Sequence, residues 1–103
     1  MNGIEPITPF NSATVNAIGG LQLATGGGCF VGPAVIKAAG SADCTARLYD
    51  GTDASGRQVG EFSLGNTGPV MGASICFAEG LFIEMTGTDP GTLQLIFSGN
   101  AAA

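Results

Sequence analysis

The distribution of glycine constrains the fold of this chain more than any other feature of its sequence. Eighteen of the 103 residues are glycine, and most of them separate short apolar runs. Glycines at such intervals are typical of many short strands joined by tight turns. No stretch of helical length has apolar residues three and four positions apart without an interrupting glycine or proline. The sequence therefore predicts an all-β protein with almost no helix.

Apolar and polar residues alternate within the predicted strands, as they do in strands that bury one face. Over residues 43–49 the even-numbered residues are predicted to point inward and the odd-numbered ones, including Tyr49, outward. Gly19-Gly20 is predicted to form a hairpin turn, and an irregular pattern over residues 58–64 predicts a bulge. The predicted core residues are Leu48, Phe62, Phe77, Leu81, Ile83, Leu93 and Leu95.

The strand pattern predicts one folded domain preceded by an arm. About eight short strands, spaced as in sandwiches and barrels, favour a single antiparallel β-sandwich of jelly-roll type over residues 11–103. Pro6 and Pro9 suit an extended N-terminal arm over residues 1–10 better than a central strand. The apolar side chains of this arm are Ile4, Ile7 and Phe10, and we expect them to bind a partner. A frayed terminus or an edge strand is the alternative.

Charged side chains are scarce in this sequence. They make up 11% of the residues, against about 25% in an average globular domain. Surface shared between subunits would explain so few charges, and a surface rich in Ser, Thr and Gly is the alternative. The net charge is −5, and Lys37, Arg47 and Arg57 are scattered cations. Without a basic stripe to displace counterions, we expect neither nucleic acid nor an anionic membrane as a partner.

The residue types that most catalytic and metal sites need are missing or poorly spaced. The sequence has no histidine, and its three cysteines form no C-x-x-C pair, so neither a histidine-based triad nor a zinc site is expected. Residues 50–56 hold two aspartates without the spacing of a calcium loop, and we interpret them as Asx turns at a hairpin tip. The sequence predicts no enzyme activity, no cofactor and no metal.

The cysteines are Cys29, Cys44 and Cys76. An odd number at wide spacing is a poor disulfide framework, so we expect three unpaired thiols in a protein made in a reducing cytoplasm. A Cys29–Cys44 bridge is the alternative if the chain ends up outside the cell. The first residues lack the basic and apolar regions of a secretory signal, and no apolar run is long enough to span a membrane.

Four segments carry a resemblance to a known group of proteins. They are Ala-Arg-Leu-Tyr-Asp-Gly at 46–51, Ala-Ser-Gly at 54–56, Ile-Cys-Phe-Ala-Glu-Gly-Leu at 75–81 and Gly-Thr-Leu-Gln-Leu-Ile-Phe at 91–97. This pattern resembles small virion proteins of tailed bacteriophages, of the capsid decoration (cement) type. The resemblance covers about half of the chain, from residue 44 to residue 97.

The resemblance implies a structural role in the virion. Proteins of this group are β-sandwiches that commonly sit as homotrimers on the capsid exterior, bind the major capsid protein and stabilise the head. The implied location is the capsid surface of the virion, after synthesis in the host bacterial cytoplasm. A phage tail, neck or fibre component and a small β-sandwich ligand-binding module are the alternatives.

Overall fold

A computed structural model describes residues 10–31, 34–70 and 75–102. Within them the chain forms eleven β-strands and no helix, which confirms the all-β prediction. No helix in these ranges could therefore cross a membrane. The strands are β1 (Asn11–Val15), β2 (Gly19–Thr25), β3 (Gly28–Phe30), β4 (Ala34–Ala38), β5 (Thr45–Asp50), β6 (Arg57–Ser63), β7 (Gly68–Val70), β8 (Ile75–Phe77), β9 (Gly80–Thr86), β10 (Thr92–Phe97) and β11 (Asn100–Ala101).

The strands form two antiparallel sheets packed together, an arrangement compatible with the predicted sandwich. Sheet A contains β7, β4, β10, β3 and β8, with β1 on the other side of β10. Sheet B has the order β11, β2, β9, β5, β6. The described residues hold eleven strands where about eight were predicted. The excess of three arises because β3 with β4, and β7 with β8, are pairs of short strands that each take the place of a single strand in sheet A. The two-residue strand β11 is the third additional strand.

The core lies between the two sheets and draws on both of them. Its largest fully buried side chains include Phe30, Ile36 and Phe97 from sheet A. Of the seven predicted core residues, six are buried and Phe62 is half-buried against the core. The buried six are Leu48, Phe77, Leu81, Ile83, Leu93 and Leu95. Alternation identified these residues because each strand has one face turned to the opposite sheet.

Two bulges change the direction of side chains in sheet B. In β6, Val59 is skipped between the pairs Leu48–Gly60 and Tyr49–Gln58, which confirms the bulge predicted in this strand. In β2, Leu23 is skipped between the pairs of Gln22 and Ala24 with β9. An extra residue in one strand shifts the alternation beyond it, so Leu23 and Ala24 are both buried although they are neighbours in sequence.

One local prediction is wrong, and one outward-facing residue is more buried than its position in the strand indicates. Gly19-Gly20 is the start of β2 and not a hairpin turn, since β1 and β2 belong to different sheets. Tyr49 is 8% exposed although it lies on the outer face. Its ring is covered there by Phe82 of the neighbouring strand, with 6.4 Å between the ring centroids.

The prediction of three unpaired cysteines is also wrong. Cys29 and Cys76 form a disulfide, so neither all-free thiols nor the alternative Cys29–Cys44 bridge is found. The two residues face each other in the β3–β8 pair, with their Cα atoms 3.9 Å apart. Cys44 is unpaired and buried, as expected.

Candidate interaction surfaces

Phe10 is the one predicted partner-binding residue that the structure describes. It immediately precedes β1, and 61% of its surface is exposed. Ile4 and Ile7, the other two, lie outside the described residues. The structure therefore places a large exposed aromatic side chain where the predicted arm joins the sandwich, and it does not test the arm itself.

The acidic loop uses its carboxylates to organise the backbone. The Asp53 carboxylate accepts hydrogen bonds from the Ser55 hydroxyl and from the Ser55 N–H at 2.9 Å, which confirms the Asx turn predicted there. Both hydrogen bonds lower the pKa of Asp53, and the bond from the Ser55 hydroxyl has the larger effect. A carboxylate that already accepts two local hydrogen bonds is a structural element of the loop.

Asp50 acts over a longer range, which the sequence did not reveal. Its carboxylate accepts hydrogen bonds from the N–H of Ala78 at 3.0 Å and of Glu79 at 2.8 Å. These hydrogen bonds lower the pKa of Asp50, and the bond from the Ala78 N–H has the largest effect, followed by that from the Glu79 N–H. Arg57 lies 3.6 Å from the same carboxylate, but its side chain is 73% exposed and contributes little. Asp50 thus attaches the β5–β6 hairpin to the connection between β8 and β9.

A second polar cluster joins the loop before β5 to the loop after β9. Asp43 accepts hydrogen bonds from the Ser41 hydroxyl and, at 2.9 Å, from the Thr88 hydroxyl. Both hydrogen bonds lower the pKa of Asp43, and the bond from Ser41 has the larger effect. The Cys44 thiol donates to the Asp89 carbonyl oxygen at 2.7 Å. Each polar group has a partner within the cluster, so the arrangement holds two loops together.

No group of three or more His, Cys, Asp or Glu residues within the described ranges is arranged to hold a metal ion. The carboxylates of Asp43, Asp50 and Asp53 already accept hydrogen bonds from their own or neighbouring loops. The features that could meet a partner are surfaces instead: one sheet face and one groove.

The outer face of sheet A is almost free of charge. Among the described strands of this sheet only Lys37 is charged. Ile96 lies in the central strand β10 and is 40% exposed. The strands of sheet B, by contrast, carry Arg47, Asp50, Arg57, Glu61 and Glu84. Arg47 and Glu61 form a cross-strand ion pair at 3.3 Å.

A groove of about 320 Å³ opens at the edge of the molecule where β1 of sheet A lies opposite β2 and β11 of sheet B. Its lining is uncharged and combines aliphatic and aromatic side chains with amides and hydroxyls. The lining residues are Asn11, Ser12, Ala13, Thr14, Leu21, Gln22, Leu23, Phe97, Ala101 and Ala102. No sequence pattern predicted this groove, because the groove depends on which strands lie at the two sheet edges.

Comparison of the chain with protein-family models, with curated proteins and with solved structures found no match.

Proposed function

We propose that this protein is a structural virion protein of the capsid decoration type, which binds the exterior of a phage head and stabilises it. The observation that carries the proposal is the unequal distribution of charge between the sheets. Ile96 is exposed on the outer face of sheet A. Among the described strands of this sheet, Lys37 is the single charged residue. Such a face loses little solvation free energy when another protein covers it, because few charges must be desolvated.

The strand connections also support a viral structural role. With β3 and β4 counted as one strand, β7 and β8 as another, and the two-residue edge strand β11 left aside, the sheets have the orders β1, β10, β3/β4, β7/β8 and β2, β9, β5, β6. The β5–β6 hairpin stays within one sheet, as do the β3–β4 and β7–β8 connections inside the combined strands. At every other connection between these strands the chain passes from one sheet to the other. We propose that this is a jelly roll, the double Greek key found in viral capsid and lectin domains.

In this proposal the protein is a homotrimer whose partner is the major capsid protein. A closed ring of identical subunits is the ordinary way to share an uncharged surface among copies. Phe10, which is exposed where the arm joins the sandwich, extends the contact towards the shell. Because the protein binds the assembled shell and not its dispersed subunits, it stabilises the shell by mass action.

Two phage preparations test the proposal, one with the gene for this chain and one without it. We expect antibodies against the chain to label the heads of intact particles only. We also expect particles without the protein to lose infectivity faster on heating and on osmotic shock. Adding the purified protein back should restore resistance, and adding an Ile96→Glu variant should not. An Ile18→Glu variant is the matched control, since Ile18 is 44% exposed and lies outside the strands of sheet A.

Labelling of the tail, or equal survival of both preparations, would contradict the decoration role. Tail labelling would favour the tail or fibre component that the sequence left open.

A further inference from the structure

The groove lies along the edge of β1 and not on one of its faces. Its lining includes Asn11, Ser12, Ala13 and Thr14, four consecutive residues of this strand. Consecutive side chains of a strand point to opposite faces, so a cavity that contacts four in a row must follow the strand edge. β1 pairs with β10 on one side and with no strand of the described residues on the other. Alternate residues of β1 therefore direct backbone N–H and C=O groups towards the groove.

The opposite wall of the groove contains a leucine that the core leaves uncovered. Leu21 pairs with Ile83, which is fully buried between the sheets, so Leu21 faces the same inter-sheet space. It is nevertheless 47% exposed. The short strand β11 pairs with β2 only at Thr25 and Ala24, and the described residues place no strand beside Leu21.

The β1 edge also lacks the features that protect strand edges from pairing. Protected edges carry charged residues, prolines or bulges. The sequence Asn-Ser-Ala-Thr-Val of β1 has no charge and no proline, and its register with β10 is continuous from Asn11 to Val15. An unprotected edge beside an uncovered inward-facing leucine is suited to receive one more strand.

We propose that this groove binds an extended segment of a partner protein, which adds to sheet A as a strand beside β1. The backbone of the segment would hydrogen-bond to β1, and an aliphatic side chain on its inward face would cover Leu21. None of the ten lining residues is charged. The four residues of the partner segment that pair with β1 must therefore be uncharged as well. This is recognition by β-strand addition, in which backbone bonds supply affinity and alternate side chains supply specificity.

Neither a second copy's β1 nor this chain's own N-terminal sequence fits the groove as well. The inward-facing side chains of β1 already have contacts within their own chain: Val15 is buried, Ala13 packs against the core, and the Asn11 amide donates to the Gly99 carbonyl oxygen. The β1 of another copy would therefore bring no free aliphatic side chain to cover Leu21. Residues 1–9 contain Pro6 and Pro9, which lack the N–H that strand pairing needs. The inference rests on the proposed assembly role only for the identity of the protein that supplies the segment.

A peptide array tests this binding mode without any phage particle. The probes are acetylated, amidated peptides of the form Thr-X-Thr-X-Thr-X-Thr, where X is Ala, Val, Leu, Phe, Glu or Lys. We expect binding with Val, Leu or Phe and none with Glu or Lys. In the tightest-binding peptide, N-methylation of one alternating set of amides should abolish binding, and N-methylation of the other set should not. Amide NMR shifts of the labelled full-length chain should change at residues 11–14 and 21–23.

Variants of the groove complete the test. Leu21→Glu should weaken the tightest-binding peptide by about tenfold or more, whereas Ile18→Glu, a similarly exposed position outside the groove, should not weaken it. If thermal unfolding shows that Leu21→Glu does not fold, Leu21→Asn replaces it with the same expectation. Failure of every array peptide to bind, binding that is insensitive to N-methylation, or shift changes elsewhere would overturn strand addition. Because no particle is involved, that failure is distinguishable from failure of the decoration role.

Discussion

At the scale of single residues, position within a strand decides what a side chain contributes. Leu95 and Ile96 are neighbours in β10, yet Leu95 is fully buried and Ile96 is 40% exposed. Apolar composition does not distinguish the two, but alternation does, and it placed Leu95 in the core from sequence alone. The role of Asp50 depends instead on Ala78 and Glu79, 28 and 29 residues further along the chain. No local pattern could have predicted it.

Leu95 and Ile96 provide a matched pair of truncations. Leu95→Ala removes buried methyl groups and leaves a cavity, so we expect the free energy of unfolding to fall by about 2–5 kcal/mol. Ile96→Ala, one residue away on the outer face, should change it by less than about 1 kcal/mol when both variants are measured at concentrations low enough to keep the chains apart. Urea denaturation of both variants checks the difference, and equal losses would contradict the assignment of the two faces of β10.

Asp50 should make stability depend on pH. Hydrogen bonds from the N–H of Ala78 and Glu79 hold its pKa below the usual 3.8. The stabilisation is therefore fully present above that value and is lost as the pH falls through the lower pKa of the folded state. We expect Asp50→Asn to lower the free energy of unfolding by about 1–3 kcal/mol at neutral pH, and by progressively less in acid.

Urea unfolding at several pH values measures the effect of Asp50. Glu79→Gln is the control, because its side chain makes no hydrogen bond or ion pair with the described residues. A loss at Asp50→Asn that is unchanged down to the lowest pH would show that the charge of Asp50 is not involved.

At the scale of strands, the sequence predicted those with clear alternation and failed where tertiary pairing decides. Alternation predicts strands over residues 43–49, 81–86 and 92–97, and β5, β9 and β10 lie within two residues of these ranges. The Gly19-Gly20 hairpin failed because a diglycine indicates a change of direction but not which sheet receives the next strand. The Cys29–Cys76 pair joins residues 47 positions apart. That pairing follows from the register of β3 with β8, which neither cysteine's neighbours reveal.

Counting the free thiols distinguishes the Cys29–Cys76 disulfide from the three unpaired cysteines that the sequence predicts. Alkylation of the unfolded, unreduced protein should label one thiol, that of Cys44, and labelling after reduction should reach three. Closing a loop of this length in the unfolded chain should stabilise the fold by about 4 kcal/mol. Three labelled thiols before reduction, or a urea midpoint unaffected by reductant, would restore the expectation of unpaired cysteines.

At the scale of the whole molecule, charge is distributed unequally over two sheets that are otherwise similar. Sheet B carries ion-paired and acidic side chains, whereas the described strands of sheet A have Lys37 as their charged residue. The sequence showed that charge is scarce, but the sheet order was needed to show where it is missing. The proposed trimer and the proposed contact with a viral shell both depend on this uncharged face.

The oligomeric state in solution tests the central claim most directly. Light scattering coupled to size exclusion, at micromolar concentration, should report a mass about three times the 10.2 kDa of one chain. Ile96→Glu should shift it towards one chain, because a carboxylate would be buried in the shared face, and Ile18→Glu should leave the trimer intact. A wild-type protein that elutes with the mass of a single chain would contradict assembly through sheet A.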